Sequence, residues 1–175
     1  MKNWVLGILC FAAGLGVVPI VVLLYLDTGR PPVAVSDPPF PMEKKIVRKI
    51  LNARIDSETQ APPLQATPAV LAAGASIYKN QCAVCHGTTN DKSSIGAHMY
   101  PSAPALWASH RAGVVGVSDD PVGETFWRVK NGIRLTGMPS YKALLNDEQI
   151  WQVSLLLSAA AKPLPDEAQH ILTAR

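Results

Sequence analysis

Cys82, Cys85 and His86 stand in the string Cys82-Ala83-Val84-Cys85-His86, and the only other cysteine, Cys10, lies far upstream in an apolar run. Two thiols three positions apart can each add to one vinyl group of a single porphyrin, and the adjacent imidazole then lies under the iron as its fifth ligand. The chemistry this spacing offers is covalent attachment of one haem c. A structural zinc site asks for four ligands, usually from two such pairs, and the chain has one pair. A thioredoxin-type redox pair asks for a strand-helix-strand setting, whereas the flanks here are rich in alanine and helical in pattern. An ordinary disulfide would leave His86 without a task.

An iron held by His86 alone is open on its other face and reactive, so the opposite ligand decides between an electron carrier and a haem enzyme or gas sensor. Met138 is the candidate. It sits in Thr136-Gly137-Met138-Pro139-Ser140-Tyr141, 52 positions after His86, between two predicted helices. Glycine before it lets the backbone pass close to a porphyrin, and proline after it sets the direction of the loop without needing a hydrogen-bond donor. Met99 and His98 are rivals, along with Met42, His110 and His170. Met99 and His98 follow His86 by only 13 and 12 positions, which leaves little slack to reach the opposite face. They read more simply as a methionine packed on a haem edge and a surface histidine. His110 and His170 lie in polar surroundings and read as ordinary titrating surface residues.

These residues need elements to hold them. Thr67-Pro68 can cap and open a helix that carries Val70, Gly74, Ile77 and Tyr78 on one face and runs into Cys82. From Gly87 to Ser118 no period is sustained, as for a loop wrapped on a cofactor. Asp120-Pro121 opens a helix with Val122, Phe126, Val129 and Ile133, and Asn131-Gly132 stops it. Asn146 to Gln149 has the form of a capping box before an apolar helix that Pro163 ends. No stretch alternates at period two, so the expected fold is all-α, with the haem domain over 66–162 and a tail over 163–175.

Upstream, Trp4 to Leu26 runs 23 residues without a charge, and at ~1.5 Å per residue such a helix spans the ~30 Å hydrocarbon layer. A cleavable signal sequence usually has an apolar core of only ~7–15 residues ending at small side chains. Residues 1–27 are therefore read as a single-pass membrane anchor and 28–65 as a Pro-rich linker. Within that linker Met42, Ile46, Val47, Ile50, Leu51 and Ile55 recur at helical spacing, opposite Lys45, Arg48 and Lys49. Such a short basic amphipathic helix either docks on anionic lipid or a partner subunit, or packs on its own domain. The 175 residues, 48% hydrophobic, suffice for one folded unit besides the anchor. From Ala66 onward nine Lys and Arg face eight Asp and Glu, so neither nucleic-acid binding nor strong electrostatic steering is expected. A tether of about 40 residues can substitute for steering, since it holds the domain at roughly millimolar effective concentration near membrane redox proteins. No small-molecule substrate is expected.

Three segments together resemble the class I c-type cytochromes, in particular single-haem, membrane-anchored bacterial members, over about residues 67 to 161: Gly74-Ala75-Ser76-Ile77-Tyr78 leading into CAVCH and Gly87, the stretch GIRLTGMPSY from Gly132 to Tyr141, and LNDEQIWQVSLLL. The resemblance implies that the first and last helices cross, with Gly74, Tyr78 and Trp151 at the contact. It implies that a prolyl carbonyl accepts the second N–H of the proximal imidazole. Pro104 matches that role, with Pro101 as a nearby alternative register. It implies attachment of haem on the outer side of a bacterial plasma membrane, hence an N-terminus in the cytoplasm and the haem domain outside. A pocket of Trp127, Leu135 and Tyr141 around a His86–Met138 iron implies a fairly positive potential and electron transfer between respiratory redox proteins, either as a free carrier or as the haem subunit of an oxidoreductase.

Overall fold

Thr67 takes an extended backbone and its hydroxyl accepts from the Val70 N–H at 3.4 Å, with Pro68 in the first helical position, so α3 (Pro68–Ile77) starts where both residues favour it. The computed structural model describes residues 2–111 and 113–174 of the chain. α3 widens into a single π turn over Tyr78–Cys82 and continues as α4 (Ala83–His86). Its main partner is α7 (Asp147–Ser158), which begins at a capping box: Asn146 and Gln149 each accept from the other's backbone N–H at 2.9 Å. The two helices meet at Gly74. A Cβ there would overlap the Gln152 carbonyl and stand 3.1 Å from Leu156 Cβ, so only glycine allows the backbones this close.

Around that crossing Leu71, Ala75, Tyr78, Ile150, Val153 and Leu156 are buried, each large aliphatic side chain contributing roughly 1.5–3 kcal/mol by leaving water. Trp151 of α7 stacks on Phe126 of α6 (Val122–Asn131), with ring centroids 3.9 Å apart and planes 12° from parallel, and so joins the third helix to the pair. Tyr78 donates its hydroxyl proton to the Gly87 carbonyl at 2.8 Å and meets the Trp107 ring edge-on.

The architecture is mostly helical with almost no strand, and it departs from the sequence reading in three places. Residues 163–175, read as a tail, contain α8 (Asp166–Thr173), which buries Ala168 and Leu172 and packs on α3. Pro163 and Pro165 interrupt the helical path rather than end the fold. Asp166 and Glu167 in the first turn and His170 in the last complement the helix dipole. The stretch from Gly87 to Ser118 contains a one-turn α5 (Ser94–Ala97), capped by Ser93, and a small antiparallel pair, β1 (Ser109–Arg111) with β2 (Val114–Val115).

The third departure concerns the linker. The chain divides into two compact units, 1–41 and 42–175, so the basic helix belongs with the larger unit, which also holds Cys82, Cys85 and His86. This α2 (Glu43–Glu58) packs on α6: Ile55 is fully buried and Glu58 accepts from the Trp127 indole N–H at 2.8 Å. Lys44 lies over the Tyr100 ring, 5.8 Å from its centroid. Ile46, Val47 and Ile50 keep at least half of their surface in solvent, because the apolar residues of α2 fall on two sides of the helix and only one side meets the domain. The other unit holds α1 (Lys2–Thr28), in which Trp4–Thr28 is long and apolar enough to cross a membrane. Past its end the Asp37 carboxylate accepts the Val33 and Ala34 N–H groups, both at 2.9 Å, and those bonds hold its carboxyl below the usual range.

Candidate functional site

Cys82, Cys85 and His86 occupy positions i, i+3 and i+4 on continuous helical backbone, so all three reach the same side of it. That side is one wall of a cavity of about 260 Å³. Burial, with the Cys85 sulfur adding a smaller effect, pushes the Cys82 thiol up to about 12. Cys82 is therefore a neutral thiol at physiological pH. Among the described residues no three His, Cys, Asp or Glu side chains converge as a metal cage would require.

His86 Nδ1 lies 2.8 Å from the Pro104 carbonyl. A carbonyl oxygen can only accept, so the Nδ1 proton is committed there and the Nε2 lone pair is left for a metal. Burial holds the imidazole below its ordinary 6.5 and the bond to Pro104 partly opposes that, which keeps the ring neutral.

The facing wall comes from α6 and the chain that follows it. The last carbonyls of α6 have no partners within the helix, and the returning loop supplies them: Tyr141 N–H donates to Val129 O at 3.1 Å and the Ser140 hydroxyl to Lys130 O at 2.7 Å. The loop also closes on itself. Thr136 Oγ1 donates to Ile133 O at 2.7 Å and accepts from Met138 N–H at 3.1 Å, while Ile133 N–H donates to Met138 O at 3.2 Å. Tyr141 then donates its hydroxyl proton to the Gln81 carbonyl at 2.9 Å, tying the loop to the π turn before Cys82 across 60 positions of sequence. By these bonds Met138 lines the same cavity as His86.

Arg128 is the cation in the lining, held by Glu124 at 2.8 Å and Asp120 at 3.3 Å. Thr125, Val129, Val153 and Leu157 complete the apolar floor contributed by α6 and α7.

Of the residues singled out from the sequence, the structure brings Cys82, Cys85, His86, Met138, Pro104 and Tyr141 to one cavity. It does not bring Trp127 or Leu135 there. Thr125, Arg128 and Val129 face the cavity, and Trp127 falls on the side of α6 that meets α2, where its indole binds Glu58. Leu135 is 91% exposed at the tip of the loop, with a backbone φ of 60°. Both were selected for apolar character, which does not specify direction.

Met99 lines the cavity as well, whereas His98 turns its Nδ1 to Ser94 O at 2.7 Å and His110 its Nε2 to Gly116 O at 2.6 Å. Arg128, Asp120 and Leu106 are lining residues that the sequence reading missed. For Arg128 a signal existed, since it directly precedes the periodic Val129.

The donor set suits a haem better than a bare ion. Two cysteine sulfurs, one imidazole lone pair and one thioether border a cavity whose remaining walls are largely apolar. Residues 69–155 match a family described as cytochrome C oxidase, cbb3-type, subunit III. No curated protein matches the chain.

Proposed function

The chain belongs to the class I c-type cytochromes, haem-based electron-transfer proteins, and from that premise we propose that it is a membrane-anchored carrier of single electrons with one covalent haem c. The observation that carries this reading is the presence of Cys82, Cys85, His86 and Met138 around one cavity. Cys82 and Cys85 would hold the haem, each thiol being placed to add S–H across one vinyl group, sulfur to one carbon and hydrogen to the other. His86 offers Nε2 to the iron from the attachment side, with the ring fixed by the Pro104 carbonyl. Met138 offers a soft, neutral thioether from the loop opposite. A bound haem supplies a one-electron couple, and two protein ligands retained in both states keep rearrangement small. Arg128, which lines the cavity and is paired with Glu124 and Asp120, would offer a cationic neighbour to a haem propionate.

α1 supports the anchoring half of the proposal; the orientation proposed, N-terminus in the cytoplasm and haem domain on the outer face of a bacterial inner membrane, follows from the family resemblance. Electron partners are then redox proteins of the same membrane. The oxidase-subunit description of the matched family favours service inside an oxidoreductase complex.

Spectroscopy of the purified full chain in mild detergent tests the reading. A haem stain that survives a denaturing gel, with a low-spin ferric spectrum carrying a long-wavelength sulfur-to-iron band, is expected. A high-spin ferric spectrum that shifts on adding cyanide or peroxide would instead make the protein a haem enzyme or sensor.

A further inference from the structure

One short segment, residues 93–106, touches the supports of both axial ligands. It begins against the attachment helix: the Ser93 hydroxyl donates to Val84 O at 2.6 Å, and the Gly96 backbone lies directly on the Cys85 carbonyl. Ala103 N–H closes the turn back onto Gly96 O at 2.9 Å. Pro104 then takes the His86 ring proton at 2.8 Å and Leu106 N–H donates to His86 O at 3.3 Å.

Between these anchors Met99 reaches the loop on the other wall. A Cβ built on Gly137 would stand 2.8 Å from Met99 Sδ, 3.4 Å from its Cε and 3.5 Å from its Cγ. The thioether thus occupies the space that any other residue at 137 would need, one position before Met138. The backbone bonds of the Met138 loop run to α6 and to the loop itself, and none reaches the segment that holds His86. Besides the Tyr141 bond to Gln81, Met99 is a side-chain contact that joins the two.

We propose that Met99 is a positioning residue for Met138, and that 93–106 acts as one strap setting the proximal imidazole through Pro104 and the distal thioether through Met99. The inference rests on the reading of Met138 as axial ligand. Its consequence is that shortening Met99 frees the Met138 loop to lift from the iron, while the thioether bonds of Cys82 and Cys85 stay intact.

The test uses full-chain holoprotein in detergent, with Met99→Ala, Met99→Leu, Gly137→Ala and Met138→Ala compared for covalent haem, the ferric sulfur-to-iron band and cyanide affinity. Met99→Ala is expected to retain covalent haem, weaken the band and bind cyanide roughly tenfold more tightly, the change that about 1.4 kcal/mol produces. Met99→Leu, similar in volume and lacking sulfur, should restore both readouts, because the role is packing rather than ligation. Gly137→Ala obliges the flexible Met99 side chain to turn away from the loop and so removes the same packing, and it should reproduce Met99→Ala, which keeps a readout if that variant fails to mature. Wild-type band and cyanide affinity in both Met99→Ala and Gly137→Ala would overturn the strap, as would Met99→Leu behaving like Met99→Ala. Met138→Ala separates the two levels of the argument. Loss of its band alongside wild-type behaviour of both Met99→Ala and Gly137→Ala sinks the strap alone, and an undiminished band in Met138→Ala sinks the ligand reading with it.

Discussion

The two walls of the cavity are built by different means. On the His86 side, two cysteines and the histidine share one helical face by spacing alone, and a carbonyl 18 positions away orients the ring. On the Met138 side nothing local suffices. The loop lies where it does because α6 leaves carbonyls to be satisfied and because Tyr141 bonds to Gln81. Chemistry that depends on short spacing is robust to changes elsewhere in the fold, whereas chemistry carried on a returning loop depends on every contact that holds the loop down.

That contrast can be broken most severely from its robust side. Replacing Cys82 and Cys85 together by alanine should abolish the haem band on a denaturing gel while the apolar cavity still admits a dissociable haem, giving all-or-none loss of covalent cofactor. Next in size, Met138→Ala should convert the ferric iron to a state that binds added imidazole or cyanide and should lower the reduction potential, with haem attachment unchanged. Unaltered potential and spectrum would mean that another group holds the distal face.

Smaller effects refine the comparison. Tyr141→Phe removes one hydrogen bond between the loop and the π turn, and denaturant unfolding of the holoprotein should report a loss of about 1 kcal/mol. The distal band should weaken while the proximal environment is undisturbed. Least of all, Trp127→Phe releases Glu58 and so loosens α2 from the back of α6. The indole bond, with a lesser effect from Arg54, holds the Glu58 carboxyl below its ordinary 4.5. The stability it adds is complete above about 4.5 and is lost as pH falls through the lowered value. Acid titration of unfolding should therefore be slightly flatter below that pH in Trp127→Phe than in the parent, and identical curves would show that the bond has no energetic role.

What could be read in advance follows the same division. Thr67-Pro68, Asn146 with Gln149 and Gly132 are local signals with local causes, and the helices start and stop beside them. The attachment string is likewise local. That Met138 lies on the cavity wall is legible in its flanking Gly137 and Pro139, which are unusual together, but its support by α6 carbonyls is not, since those bonds exist only once the helix ends next to the loop. α8 was missed because two prolines resemble a terminus when its burial against α3 cannot be seen. Leu135 and Trp127 were placed in the pocket on hydrophobicity, and the direction of a side chain on α6 follows from which neighbours that helix acquires.

The docking of α8 on α3 has a consequence for biosynthesis. α3 precedes Cys82 and Cys85, yet part of the surface it must cover waits for Ala168 and Leu172, which are synthesised well after both cysteines. Until those two residues have been made, the nascent cysteine-bearing segment is denied its finished packing, and its thiols stay reachable.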